Sequence, residues 1–407
     1  MSASLKAHAR AGLARIDAAG RRRRRRVIDG PHGSDLAADG TAYVNFCNND
    51  YLGLAADPRL AAAMADAARR VGTGSAASQM VTGHNSEHAG LETDLADWLG
   101  REAALVFSTG YGANLGAITA LVGKADHVVA DARNHASLID GARLSGAAKH
   151  IYGHGDVEDA AACLAGLGEV SGNRLLVTDS VFSMDGDTAP LAALAEQAHA
   201  HDAWLMVDDA HGLGLFGPQG AGRVAEAGLD AARVPVLTGT LGKSVGAAGA
   251  FVAGDADVIE LILQRARSLI FSTAMPPAVA AAARCGLSLA RAGDDRRAHV
   301  HALVARFRAR LAAADVALAA SDSPIQPVIV GDERAALALS RALAEQGYLV
   351  GAIRPPTVAP GTSRLRVTLT AAHSATQVDG LCDALIRAWQ AQSPGPEGRA
   401  DDRRYVS

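Results

Sequence analysis

Lys243 sits in the run TGTLGKSVGAAGA (238–250), where a single amine is flanked by glycines. Such a lysine is seldom just a solvated charge. A free lysine has a pKa near ~10.4, which makes it a poor nucleophile at neutral pH. Forming an imine with a bound aldehyde is a way around that limit. Upstream lie other residues able to do chemistry: Asp208 and His211 in VDDAHG, Ser183 and Asp185 after LLVTDSVF, Asn134 and His135 after HVVAD, and STGYGAN at 108–114. Together these types meet the four needs of pyridoxal phosphate. Lys243 offers the amine for the aldehyde. Asp208 can keep the ring nitrogen protonated, so that the ring acts as an electron sink. Gly110-Tyr111-Gly112 can lead into a helix N-terminus that binds the phosphate. His135 offers a flat side chain for the ring face.

Each residue also has a plainer reading. Lys243 could be a surface lysine, Asp208 a helix cap or ion-pair partner, His135 an ordinary buried histidine, and STGYGAN a simple strand-to-helix turn. Gly-Lys-Ser imitates a nucleotide phosphate loop, but that motif needs glycine where Leu237 stands. The joint occurrence of the residues, not any one of them, carries the cofactor reading.

The elements that must position them are short apolar runs: AALVFS (103–108), HVVAD (127–131), LLVTDSVF (175–182), WLMVDD (204–209) and VPVLTGT (234–240). Each strand-sized run is followed by Gly, Ser, Asn or Asp. Helical patterns alternate with them, which predicts a mostly parallel central sheet with helices on both faces. Such sheets bind ligands beyond the C-terminal ends of their strands, where these polar residues fall. Residues 1 to about 26 read as a helix that runs into six arginines, Arg21–Arg26. That run is either a solvated charge block or the border of a site for an anionic ligand. YVNFCNNDYLGL (43–54) reads as a strand and turn, Pro58 to Gly72 as a helix, and 72–88 as an irregular loop. Beyond about Cys285, helical patterns (298–314, 334–346) flank strand candidates 327–331 and 364–370, as in a smaller C-terminal α+β domain. The expected division is 1–45 helix and arm, 46–285 large cofactor-binding domain, 286–392 small domain, and 393–407 a disordered tail.

The chain has 407 residues, 49% of them hydrophobic, and a net charge of −4, so the whole is not built to coat nucleic acid. Its four cysteines are far apart and form no metal-ligand spacing, which suits a reducing compartment. No signal peptide is evident, nor any apolar stretch of ~18 residues. The expectation is a cytoplasmic protein with no metal, membrane or nucleic-acid partner.

At VDDAHG and TGTLGKS the chain resembles the α-oxoamine synthase family of fold-type I pyridoxal-phosphate enzymes, a likeness running from about residue 20 to about 390. VFSMDGDTAPL (181–191) and RSLIFSTAMPP (267–277) match the family as a whole. The run Ile353-Arg354-Pro355-Pro356-Thr357 is most similar to the branch that condenses L-alanine with a pimeloyl thioester, on coenzyme A or acyl carrier protein, in biotin synthesis. Glycine C-acetyltransferase is the alternative. The resemblance implies a homodimeric C-acyltransferase in which Lys243 holds the cofactor and later moves protons. It implies that Asp208 pairs with the ring nitrogen, His211 and Ser183 bond the ring oxygen, and His135 stacks on the ring. Gly110, Tyr111 and Thr240 would hold the phosphate, with Ser272 and Thr273 reaching the phosphate of the neighbouring subunit. Arg366 would grip the amino-acid carboxylate, while Asn49, Thr357 and Arg22 would face the acyl substrate. One departure stands out: family members commonly read Thr-Glu-Gly where this chain has Thr178-Asp179-Ser180.

Overall fold

A computed structural model describes residues 4–168 and 171–392; the tail expected to be disordered lies outside them. The central sheet has seven strands: β4 (Ala103–Phe107), β5 (His127–Asp131), β6 (Ala148–Tyr152), β7 (Arg174–Asp179), β8 (Trp204–Asp208), β9 (Val236–Thr240) and β10 (Ala250–Gly254), in the order β4-β10-β9-β8-β7-β5-β6. Ahead of them come β1 (Ile28–Asp29), β2 (Asp35–Ala38) and β3 (Thr41–Asn45). After them come β11 (Ile325–Gly331), β12 (Tyr348–Leu349), β13 (Gly351–Ile353) and β14 (Ser363–Thr368). From β6 to β9 the neighbours pair in parallel. β10 alone runs antiparallel, slotted between β9 and β4. Val128, Val129, Leu205, Met206 and Val207 are fully buried, so these strands are covered on both faces. That is why their sequences read as continuous apolar runs and do not alternate.

The five strands expected in this sheet are present; His127–Asp131 matches at both ends, and the others differ by one to three residues at one or both ends. Two more, β6 and β10, gave no sequence signal. β6 reads AKHIY and is an exposed edge; β10 reads AFVAG and merges with the glycine-rich lysine loop. The N-terminal helix is shorter than the expected 1–26. It spans Leu5–Ala18 and ends before Gly20 (φ 63°), leaving the arginines outside any helix or strand. Six like charges in a row would repel one another along a helix, so nothing favours continuing it. Part of the expected 72–88 loop is also ordered, as a wide helical turn over Gln79–Gly83 and a helix starting at Ser86. The helix at 58 forms as its sequence suggests: Asp57 caps it through Arg59 N (3.0 Å), Pro58 opens it, and Gly72 (φ 85°) ends it.

Two connections bring distant segments to the strand ends. β3 pairs in parallel with β12 (Val44 opposite Tyr348), and Phe46 O accepts from Thr368 N at 2.9 Å. Residues 45–51 are thereby stitched to the antiparallel sheet β11-β14-β13. The loop carrying Lys243 is pinned at Gly246 (φ 73°), where an added Cβ would lie 2.6 Å from the backbone of Leu54.

Candidate functional site

Lys243 follows β9, in the tight connection to β10. Its Nζ lies 2.9 Å from His211 Nε2. Burial holds the amine down at about 8, against the upward pull of Asp208 and Asp179; Arg366 adds to the lowering. The loss of hydration thus brings the amine close to the range where it can be unprotonated and nucleophilic. His211, on the turn after β8, is pushed well below its ordinary value by burial and by the charges of Lys243, Arg366 and His135, and so is a neutral imidazole. Its Nδ1 lies 2.6 Å from the hydroxyl of fully buried Tyr51.

Asp208 ends β8. Its Oδ1 accepts from Ala210 N at 2.9 Å and its Oδ2 from Asn114 Nδ2 at 2.6 Å. Asn114 reaches further. Its amide also donates to Ser137 Oγ (2.9 Å), and its oxygen accepts from Thr238 Oγ1 (2.7 Å). Ser137 Oγ in turn lies 2.7 Å from His135 Nδ1. His135 caps the helix Ala136–Ser145, and its backbone N–H donates to Asp179 Oδ2 at 2.7 Å. The acid and the imidazole singled out from sequence are therefore linked through Asn114 and Ser137. Burial lowers the His135 pKa, and the charge of Lys243 lowers it further while Asp208 opposes.

The departure at 178–180 is accommodated. Asp179 finds the His135 amide, and Ser180 Oγ donates to fully buried Asp209, whose carboxyl burial raises to about 7.

Arg366 lies on β14, buried and held on three sides. Its Nε donates to Ser183 O (2.6 Å), its Nη1 to Thr368 Oγ1 (2.9 Å) and its Nη2 to Asn49 Oδ1 (3.1 Å). Ser183 thus enters the site through its backbone carbonyl. Two residues along the same strand, on the same face, Arg364 ion-pairs with Asp185, which also accepts from Arg133 Nη1 at 3.1 Å.

Gly110 and Tyr111 begin the helix Gly110–Leu121, which Thr109 caps through Gly112 N at 3.0 Å. Amides in the first turn have no partner within their own helix and suit an anion. The Tyr111 ring is half exposed, its hydroxyl on Asp140. Thr240 Oγ1 donates to Gly249 O (3.1 Å) and accepts from Gly242 N (3.2 Å), bracing the lysine loop. Ser272 and Thr273 are exposed, with backbone bonding between Thr273 and Ser78, and lie outside this hydrogen-bonded cluster. In the arginine run, Arg22 pairs with Asp17 at 2.8 Å. It is Arg23 whose Nη2 reaches Thr357 Oγ1, at 3.4 Å, while Arg354 holds Gly20 O at 2.6 Å.

Reasoning from sequence did not single out Tyr51, Asn114 and Ser137. Asn114 was visible as the last residue of STGYGAN, but only the fold brings it to Asp208.

The donor set fits pyridoxal phosphate: a half-buried amine with a lowered pKa, a fixed carboxylate at the neighbouring strand end, an imidazole against the amine, and a capped helix N-terminus after β4. That is the plan of a fold-type I enzyme. The sequence pattern of the family "Aminotransferase class I and II" matches residues 41–385. The 8-amino-7-oxononanoate synthase of Alkalilimnicola ehrlichii is 56% identical, over 92% of this chain and 95% of that protein. Among solved structures, the chain is similar to the serine palmitoyltransferase of Sphingomonas wittichii (33% identity, TM-score 0.91, 96% of this chain and 99% of that one). It is also similar to the 8-amino-7-oxononanoate synthase of Francisella tularensis (27% identity, TM-score 0.75, 86% and 98%). The chain belongs to the class I and II aminotransferase family, in its α-oxoamine synthase branch, alongside the 8-amino-7-oxononanoate synthases.

Proposed function

We propose that the protein condenses L-alanine with a pimeloyl thioester, releasing carbon dioxide, the free thiol and 8-amino-7-oxononanoate, with pyridoxal phosphate held on Lys243. The observation that carries the reading is the lysine amine facing His211 in a hydrogen-bonded row that ends at Arg366, with Asp208 held by Asn114 at the neighbouring strand end, in a chain 56% identical to a protein of that name. When bound, the cofactor supplies an electron sink for the carbanion at the amino-acid Cα.

The chain's own residues do the rest. Lys243 would hold the cofactor aldehyde, and its amine is the base placed to take the Cα proton. Asp208, fixed by Asn114, would face the ring nitrogen. His135 would stack on the ring face, and His211 and Ser183 would bond the ring oxygen. Gly110, Tyr111 and Thr240 would hold the phosphate. Arg366 takes the alanine carboxylate with a fork already set by Ser183 O and Thr368. Asn49, Thr357 and the arginine run, through Arg22 or Arg23, face the acyl carrier.

The reading includes a cytoplasmic homodimer, with Ser272 and Thr273 serving the partner's phosphate. Strongly exposed Val81 and Phe271 support that interface, since large apolar groups of this kind are normally covered. No helix of the described residues is long and apolar enough to cross a membrane.

The deciding experiment mixes purified protein and pyridoxal phosphate with alanine or glycine, and with pimeloyl or acetyl thioester, and identifies products by mass. Carbon dioxide and 8-amino-7-oxononanoate from the alanine–pimeloyl pair alone are expected. Preferential turnover of glycine with acetyl thioester would replace this reading with the acetyltransferase.

A further inference from the structure

A row of buried polar groups runs between two cations beneath the site. Lys243 Nζ lies 2.9 Å from His211 Nε2, and His211 Nδ1 lies 2.6 Å from Tyr51 Oη. Tyr51 Oη is 3.3 Å from Asn49 Oδ1, which is 3.1 Å from Arg366 Nη2. Tyr51 is 0% exposed and His211 6%, so a missing partner leaves a buried group unsatisfied.

The hydrogens in this row can be counted. A guanidinium and an ammonium only donate; a neutral imidazole has one N–H and one bare nitrogen; a hydroxyl has one hydrogen. With a donor at each end, every link is filled in one way. Lys243 donates to Nε2, Nδ1–H donates to Tyr51, Tyr51 donates to Asn49, and Asn49 Oδ1 accepts twice. If Lys243 gives up its proton, a second arrangement opens. His211 can then carry its hydrogen on Nε2, facing the bare amine, and Tyr51 turns its hydrogen to Nδ1. The Tyr51–Asn49 link is then left without a hydrogen.

We propose that Tyr51 is a positioning residue that couples the proton on Lys243 to the Asn49–Arg366 pair, by directing its single hydrogen either to Asn49 or to His211. The proposal rests on Lys243 being the reacting amine. Coupling of this kind is reciprocal: whatever engages Arg366 and Asn49 changes the proton affinity of Lys243, and the reverse. Burial holds the Tyr51 hydroxyl up at about 12, with the charge of Arg366 and its hydrogen bond to the hydroxyl oxygen opposing, so it stays protonated while the amine titrates. The other charged groups acting on Lys243 or its imidazole partner are Asp208, Asp179, Arg366 and His135. They act by charge, which removing one hydroxyl does not change.

Tyr51→Phe keeps the ring and removes the acceptor of Nδ1–H. His211 then favours the tautomer with its hydrogen on Nε2, aimed at Lys243, and the ammonium is disfavoured. The readout is the rate at which full-length protein, stripped of cofactor, takes up added pyridoxal phosphate, followed by visible absorbance between about pH 6 and 10. Only the neutral amine reacts, so the rate rises through the Lys243 pKa.

The midpoint is expected to fall by about one unit in Tyr51→Phe. Asn49→Ala removes the final acceptor and should shift it the same way, and the double variant should move it no further than the larger single change, since both break one row. An unmoved midpoint in folded Tyr51→Phe, or additive shifts in the double variant, overturns the proposal. Should Tyr51→Phe not fold, the Asn49→Ala midpoint decides alone. Parent protein that takes up no pyridoxal phosphate overturns the reading of Lys243 itself, and is told apart by that result.

Discussion

Asp179 and Asp208 stand side by side: they end adjacent parallel strands, and their Cα positions pair directly. Asp208 carries two donors, Asn114 and the Ala210 amide, while Asp179 accepts from the His135 amide. Burial, and then the charge of Asp208, pushes the Asp179 carboxyl well above its ordinary value. The pair therefore divides its work. Asp179 is the one inclined to keep a proton while it accepts from the His135 backbone N–H, and Asp208 is held by its two donors.

The sign of a stability effect follows. An acid whose folded pKa is raised contributes stability that is fully present below its unfolded value, near ~3.9, and is lost as pH rises through the folded value. Asp179→Asn removes that loss while keeping an oxygen for the His135 N–H. It should therefore be more stable than the parent at about pH 8, by about 1–2 kcal/mol, with the gain shrinking towards pH 4. Thermal melts at the two pH values test this; a variant less stable than the parent at both would remove the argument.

Arg366 makes three hydrogen bonds from a buried guanidinium, so its fork is aimed before any substrate arrives. Arg366→Ala should raise the KM for alanine by about 10–100-fold, the worth of a charge-assisted pair. It should also cost about 1–3 kcal/mol of stability by removing the side-chain donor to Ser183 O and one of the two donors to Asn49 Oδ1. Lysine has no planar fork, so Arg366→Lys should recover little of the KM. Steady-state kinetics with alanine varied at saturating thioester measures both; an unchanged KM would assign the carboxylate to another group.

Much of this was legible in the sequence because strand ends are marked locally. HVVAD and VDDAHG announce both a buried strand and the polar residue at its tip, and the Pro58–Val71 helix declares its own cap and stop. The connections between tips were not legible. Asn114 and Asp208 lie far apart in sequence, and nothing near either one names the other; they meet because the helix after β4 starts over the end of β8. Tyr51 is similar: it read as part of a turn after β3, and reaches His211 only because β3 is bound to β12 in the C-terminal part. Edge strand β6 (AKHIY) lacks the apolar run that marks a buried strand, while β10 (AFVAG) is apolar but short and continuous with the glycine-rich lysine loop. The sequence overstates the first helix because alanine and arginine both favour helix, while charge repulsion acts only once they are stacked.

His154 joins two acidic positions. Its Nδ1 lies 3.0 Å from Asp131 Oδ1 at the end of β5, its Nε2 2.7 Å from Asp187 Oδ2, and its ring meets Phe182 edge-on at 4.3 Å. The two carboxylates raise its pKa to about 9, with burial opposing. A histidine with a raised folded pKa contributes stability that is complete below its unfolded value near ~6.5 and is lost as pH climbs through the folded one. His154→Gln should therefore be destabilised by about 1–3 kcal/mol at neutral pH, with the gap closing by about pH 10. Denaturant melts across that range provide the check, and a gap that stays constant with pH would show that shape, not charge, is what His154 supplies.

The arginine run gives a prediction that depends on salt. Arg21 is paired with Glu333, Arg22 with Asp17, and Arg23 reaches Thr357, whereas Arg24 and Arg25 are exposed. Arg22 to Arg26, with Asp17 and Val27, line a cleft of about 1020 Å³. Coenzyme A and acyl carrier protein are both anionic, so the exposed charges should speed their approach more than they strengthen the bound state. Exposed charges are screened over about 10 Å at 0.1 M salt. The KM for the carrier should accordingly rise with ionic strength while kcat stays nearly level. Replacing Arg24 and Arg25 together by glutamine should lower kcat/KM several-fold at low salt and flatten the dependence, because the variant has less attraction left to screen. The measurement is kcat/KM for the thioester at a series of salt concentrations, for both proteins. A parent enzyme whose kcat/KM ignores salt would leave the run as a solvated charge block, the plainer of the two readings its sequence allowed.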